Sequence, residues 1–278
     1  MVLRIDNLSW QLITGKTDKD FIDNLTGIMN LQPGQAVSKL IISRGKVEEI
    51  IKKYHPFKEN WKEYKNSYIR YFIHNISKDI LCEVIIKKGE EADFLLAKHG
   101  LFYPVFNEII SCGGLPIHST LLEKKGEGIL LVGTNSSGKS TCAKIIQKPW
   151  RALSDDISLM LNGKAHPFPT WTNFTTKKYE KKKRWNVKRS VPIKALFFLE
   201  KYEKDEVLPI EKDKALMLLN QSIYEAMPGY IQSLSKEDVR IFRIKVFNNV
   251  CNFIKPLPVF TLKFTKDGQY WKKIEEVI

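Results

Sequence analysis

Gly128-Ile129-Leu130-Leu131-Val132-Gly133-Thr134-Asn135-Ser136-Ser137-Gly138-Lys139-Ser140-Thr141 is the stretch on which the reading of this chain turns. It opens with a short apolar run, the length of a buried strand. The next eight residues match GxxxxGK followed by Ser or Thr at each fixed position. Thr141–Gln147 then suits a helix, which Pro149 must end. Glycines at both ends of the loop let backbone N–H groups curl around an anion. The helix start adds unpaired donors and the positive end of its dipole. In that geometry Lys139 reaches β- and γ-phosphates as a point charge, and the Ser140 hydroxyl ligates Mg²⁺. Gly133, Thr134, Asn135, Ser136, Ser137, Gly138, Lys139, Ser140 and Thr141 are the expected phosphate contacts. No glycine lies between Gly133 and Gly138, so Ser136 and Ser137 must take up the loop without that freedom.

Downstream, Trp150–Ser154 reads as a strand ending at Asp155-Asp156. A carboxylate at a strand end beside a phosphate loop commonly holds the metal. Two in succession permit two tasks, one on Mg²⁺ and one accepting a proton from an attacking hydroxyl. Taken alone the pair would read as a cap or turn. Successive strand residues also point to opposite faces, so only one faces the nucleotide unless the backbone bends. Ile157–Leu161 and Lys164–Phe168 flank Asn162-Gly163, a type I′ hairpin signal. Val191–Glu200 is a further strand. Lys212–Met227 carries a helical stripe of Ala215, Leu218, Leu219, Ile223 and Ala226. Ser235 to Asp238 suggests a capping box for a helix that Pro256 and Pro258 stop. Val259–Thr265 and Gln269–Ile274, around Asp267-Gly268, read as a closing hairpin.

Upstream, Pro116–Leu122 reads as a strand, and Cys112-Gly113-Gly114 breaks the chain. The expected division is a smaller α+β region of unknown role over 1–111 and a nucleotide-binding catalytic domain over 112–278. In the first region Leu3–Ile13 and Ser38–Ser43 read as strands, Phe21–Leu31 and Val47–Tyr54 as helices. Tyr68–Ile86 reads as two or three strands and Ala92–Ser111 as a helix. Strands and helices mix throughout with several hairpins. The class is therefore α+β rather than a clean βαβ alternation.

Composition narrows the partners. Of 278 residues, 43% are hydrophobic and 27% charged, which excludes a largely disordered or fibrous chain. Forty-five Lys and Arg against 31 Asp and Glu give a net charge of +14, a field that attracts anions. Cys82, Cys112, Cys142 and Cys251 lie far apart with no CxxC pair, which fits reduced thiols in the cytoplasm. No apolar run approaches the ~20 residues of a membrane span. Met1–Asp20 lacks the apolar core of a signal peptide.

Ile117-His118-Ser119, the run Gly126 to Gly133, Gly138-Lys139-Ser140 and Leu153-Ser154-Asp155-Asp156 follow one another in an order that resembles the catalytic domain of the HPr serine kinase/phosphorylase superfamily. His166-Pro167-Phe168-Pro169 and Leu196-Phe197-Phe198-Leu199-Glu200 are similar to the shorter HPr-kinase-like proteins of peptide-maturation gene clusters, among them the SynChlorMet cassette family ScmC. The resemblance covers about residues 112–227. It implies a P-loop kinase core like that of phosphoenolpyruvate carboxykinase, with antiparallel strands, and protein-serine phosphorylation with ATP and Mg²⁺. Lys139 matches the phosphate-loop lysine and Ser140 the magnesium ligand. Asp156 matches the general base, Asp155 the acidic neighbour near metal and acceptor, and His118 an active-site histidine. HPr kinases proper have glycine where Ser136 stands and glutamate where Thr141 stands. Their downstream glutamate signature and C-terminal arginine motif have no counterpart here.

The resulting expectation is an ATP-dependent phosphotransferase acting on a Ser or Thr hydroxyl of a peptide or small protein. The alternatives are an ATP-binding or hydrolysing accessory module and a small-molecule kinase. Glu200 reads equally as a further metal ligand and as an exposed strand-end charge. His166, beside the hairpin, reads as structural. The basic run from Lys177 to Arg189 reads first as a solvated loop, then as a dock for an acidic peptide. Nucleic-acid contact ranks third for that run, through Tyr179 and Trp185.

Overall fold

The computed structural model describes residues 1–14, 19–44, 59–85, 100–169 and 186–278. The expected helix Val47–Tyr54, the start of Ala92–Ser111 and most of the basic run lie outside these residues. Two mixed sheets with helices make the molecule α+β. Contacts divide it into two compact units. The first takes the described residues of Met1–Glu108, Trp171–Lys188 and Met227–Val239. The second takes those of Ile109–Thr170, Arg189–Ala226 and Arg240–Ile278. Both are discontinuous in sequence, where the sequence suggests one cut near residue 112.

In the first unit β1 (Val2–Ile5) and β2 (Leu8–Thr14) form a hairpin, turning at Asp6 with φ 53°. Then come α1 (Lys19–Ile28), β3 (Ser38–Arg44), β4 (Trp61–Lys65), β5 (Ile69–His74) and β6 (Ile80–Val84). The strand order is β1-β2-β3-β6-β5-β4. β3 is parallel to both its neighbours and the other pairs are antiparallel. Helix α2 (Tyr103–Ser111) follows, and Cys112 and Gly113 turn the chain out of it.

The second unit is built around β8 (Glu127–Val132), between β7 (Leu115–Lys124) and β12 (Val191–Lys201). Ile129 to Val132 are at most 1% exposed. Covered on both faces, this strand is continuously apolar rather than alternating. It pairs antiparallel with β7 and parallel with β12, and β12 is parallel to β14 (Val259–Phe264). β9 (Arg151–Ser154) and β10 (Ile157–Leu161) both pair with β7. β10 forms the expected hairpin with β11 (Lys164–Phe168), and Asn162 and Gly163 adopt φ 48° and 73°. β11 also pairs with the first residues of β12. Helix α3 (Lys139–Ile145) ends four residues before Pro149. α4 (Lys212–Ala226) follows β12, while α5 (Pro228–Ser233) and the first residues of α6 (Lys236–Ile254) belong to the first unit and the rest of α6 to the second. Ser235 Oγ accepts the Asp238 N–H at 3.1 Å and donates to its carboxylate at 2.7 Å, the expected cap.

Two elements differ from the sequence reading. Residues 207–209, to which the sequence reading assigns no element, form with Glu206 the strand β13 (Glu206–Pro209), an edge strand on β14. The closing hairpin does not form. Its second arm is instead α7 (Tyr270–Glu275). With β12 on one side and β13 on the other, β14 has no free edge for another strand. Tyr270, Trp271 and Ile274 are buried together, a helical spacing that a strand would split between two faces. They pack with Cys142, Trp150, Phe197 and Phe264.

This arrangement predicts the cost of Trp271→Ala. At 7% exposure the helical indole is core, so its loss costs about 3–5 kcal/mol in urea unfolding. A cost below about 0.5 kcal/mol, that of an ordinary surface site, would return Trp271 to the exposed face of a strand.

Candidate functional site

The loop Gly133–Ser140 leaves the buried end of β8 and enters α3. A Cβ at Gly133 would collide with the Ser137 side chain. Gly138 has φ 105°, and a Cβ there would strike the Phe264 ring from β14. Both fixed glycines thus answer to close approach, and Gly138 also to conformation. Ser136 sits at φ 65°, so a serine supplies the left-handed residue inside the loop. Thr134 O accepts the Ser137 N–H at 3.1 Å. Thr134, Asn135 and Ser140 are exposed, while Thr141 is partly buried. Underneath, the Tyr270 hydroxyl donates to Cys142 O at 2.9 Å and ties α3 to α7. Burial pushes the Cys142 thiol up to about 12, so it serves packing rather than chemistry.

Lys139 is 6% exposed. Its ammonium donates to Gly133 O at 2.7 Å and Thr134 O at 2.8 Å. Burial lowers its pKa, and the charges of Glu225 and then Asp156 oppose that shift. The lysine therefore shares its surroundings with two carboxylates.

Sheet register brings the remaining groups to the loop. Ser119 on β7 pairs with Val132, which sets His118 one residue beyond the last strand residue before Gly133. His118 also lies opposite Ile157 on β10. The chain between β9 and β10 carries Asp155 and Asp156. It is pinned by Ser119 N donating to Asp156 O at 2.8 Å and by a 3.1 Å contact between the Ser154 and Ser158 hydroxyls. Asp156 is the member of the pair that meets His118, with Oδ1 3.3 Å from Nε2. Asp155 is partly buried beside it.

Glu225, at the end of α4, escapes sequence reading. Its Oε2 lies 3.2 Å from His118 Nδ1, and Gln221 Nε2 donates to its Oε1 at 3.0 Å. Ser222 Oγ donates to His118 O at 3.0 Å. The only local signal is a buried serine on the apolar stripe of α4, three residues before a glutamate. The four groups Lys139, His118, Asp156 and Glu225 thus form one cluster. Beside it a cavity of about 90 Å³ is lined by Gly133, Thr134, Phe198, Leu218, Ser222 and Glu225.

Glu200 is exposed two residues beyond Phe198, the partner of Val132. His166 is 2% exposed on β11. At the end of the basic run, Arg189 joins Arg151 on the buried Glu123 carboxylate, a structural tie. The Ser140 hydroxyl and the carboxylates of Asp155 and Asp156 are the side-chain oxygens that could hold a Mg²⁺ ion. These hard oxygens suit an ion that keeps waters and substrate phosphates as its other ligands. Among the described residues no three His, Cys, Asp or Glu side chains form a metal cage. Nor is any of their helices long and apolar enough to cross a membrane.

The loop geometry separates two glycines of positive φ. Gly163→Ala meets nothing within 4 Å and costs only the left-handed penalty of about 1–2 kcal/mol. Gly138→Ala adds the collision with Phe264 and lowers the melting temperature further. Ser136→Gly is neutral or stabilising by up to about 1 kcal/mol. Equal losses at Gly138 and Gly163 would contradict the packed loop.

No curated protein matches the chain. A family model described as SynChlorMet cassette protein ScmC matches residues 80–278, which is more than half of the chain and includes the loop, His118, the aspartate turn and Glu225. The chain belongs to the ScmC family.

Proposed function

We propose that this protein is an ATP-dependent phosphotransferase that moves the γ-phosphate to a Ser or Thr hydroxyl of a peptide or small protein. One observation carries the reading. The lysine of a complete phosphate-loop motif and the aspartate expected to act as base stand in one charge cluster, with His118 between the two carboxylates. The likeness to HPr kinases supports the same assignment. The resemblance to HPr-kinase-like proteins of peptide-maturation gene clusters favours a peptide acceptor. The net charge of +14 favours an acidic one.

Backbone N–H groups of the loop and the Lys139 ammonium would hold the phosphates. Asp156 would take the proton of the acceptor hydroxyl as its oxygen bonds to the γ-phosphorus. The bond to the bridging oxygen breaks, and ADP leaves with the electron pair. Mg²⁺ bound by Ser140 and an aspartate would neutralise charge on the phosphate oxygens. Most of the rate would come from position and charge, since the protein need form no covalent bond. We place the reaction in the cytoplasm, where ATP and reduced thiols coexist.

Thermal unfolding with and without Mg·ATP tests the first half. A ligand at 100 times its Kd adds about 2.7 kcal/mol, a shift of roughly 5–10 °C here. We expect it in wild type and not in Lys139→Ala. Asp156→Asn keeps the shift and loses transfer by about 10²–10⁴-fold. Absence of a wild-type shift in excess Mg·ATP would overturn the reading. A shift without transfer to peptides would leave an accessory module, and transfer to a metabolite alone a small-molecule kinase.

A further inference from the structure

The charge cluster contains one group that neither the phosphate-loop motif nor the paired aspartates bring with them. Glu225 is 107 residues from His118 in sequence and reaches it from a helix. Its position is over-determined. Gln221, one turn earlier, donates to Oε1 and leaves Oε2 for His118. Ser222, on the same turn, holds the His118 carbonyl. Ser119 N holds the Asp156 carbonyl. With both backbones clamped, rotation of the imidazole is the freedom that remains, and Glu225 removes it.

An ionised carboxylate can only accept. The 3.2 Å contact between Glu225 Oε2 and His118 Nδ1 has hydrogen-bond geometry, so Glu225 accepts from Nδ1–H. Nε2 then faces Asp156 Oδ1 at 3.3 Å, a contact that becomes an ion pair only when the ring carries both protons. The logic is that of a base whose orienting partner fixes which ring nitrogen faces the reacting group.

We propose that Glu225 is a positioning residue, which fixes the imidazole of His118 with Nδ1–H donated to its carboxylate and Nε2 directed at Asp156. The catalytic consequence rests on the phosphotransferase reading, but the orientation itself does not. Hydrogen bonds run from Gln221 to Glu225 to His118, whose Nε2 then faces Asp156, and Lys139 lies within the field of both carboxylates. Removing Glu225 therefore loosens the group next to the base, and it also takes away one of the two charges that oppose the burial of Lys139.

The test is ¹⁵N NMR of the full chain labelled at histidine, with the His118 signals assigned by their loss in His118→Asn. In wild type we expect Nδ1 to show a protonated shift. In Glu225→Ala it moves toward the unprotonated value as the ring exchanges tautomers. Glu225→Gln keeps the shape without the charge and moves it the same way by less, and it carries the measurement if the alanine variant does not fold. An Nδ1 resonance unchanged in the folded variants overturns the proposal. In parallel, Glu225→Ala should lower kcat for transfer by about 10–100-fold. A loss confined to KM would also overturn it. If wild type transfers no phosphate, the phosphotransferase reading fails, while the NMR result still decides the role of Glu225.

Discussion

Lys139 carries a charge to a place where 6% of its surface meets water. A buried ammonium without partners is costly enough to be neutralised instead. Much of the second unit's layout can be understood as meeting that demand. Two loop carbonyls receive the ammonium directly, and two carboxylates stand close enough to oppose the effect of burial. Asp156 and Glu225 would repel one another, and His118 is placed between them. A loop that turns its own carbonyls onto a lysine keeps that side chain in one place. A positioned point charge is what phosphate recognition requires.

The sheet does the positioning. β8 is buried on both faces, and parallel pairing with β12 points both strands to the same end of the sheet. β7 returns antiparallel, so its start, with His118, comes to that end too. β10 pairs beyond β7 and delivers Asp156 in register. Four separate chain segments thus converge on one sheet edge by hydrogen-bond register alone. α4 closes the cluster from outside the sheet. The packing of Phe264 against Gly138 and of Tyr270 beneath α3 sets the depth of the loop.

What the chain discloses without coordinates follows the range of the forces involved. The phosphate loop, the Asn162-Gly163 turn, the Ser235 cap and the stop before Pro149 are local. Each depends on residues a few positions apart, and each is legible. The two aspartates are legible as a pair. Which one meets His118 depends on a bend between β9 and β10 that no alternation rule contains. Glu225 was not legible, because its partner lies across the fold and its own helix reads as a plain apolar stripe. The closing helix reads as a strand in the sequence for a related reason. Tyr270-Trp271 and Ile274 suit either element, and only the occupied edges of β14 exclude a strand.

The central claim is that nucleotide phosphates sit on Gly133–Ser140 within reach of Asp156. Hydrogen exchange of the backbone amides, compared with and without Mg·ATP, reads this most directly, because the amides themselves would be the ligands. The account predicts added protection at residues 133–141 and at the Asp155–Asp156 turn, absent in Lys139→Ala. Unchanged exchange across the loop in saturating Mg·ATP, or protection confined to the first unit, would contradict it.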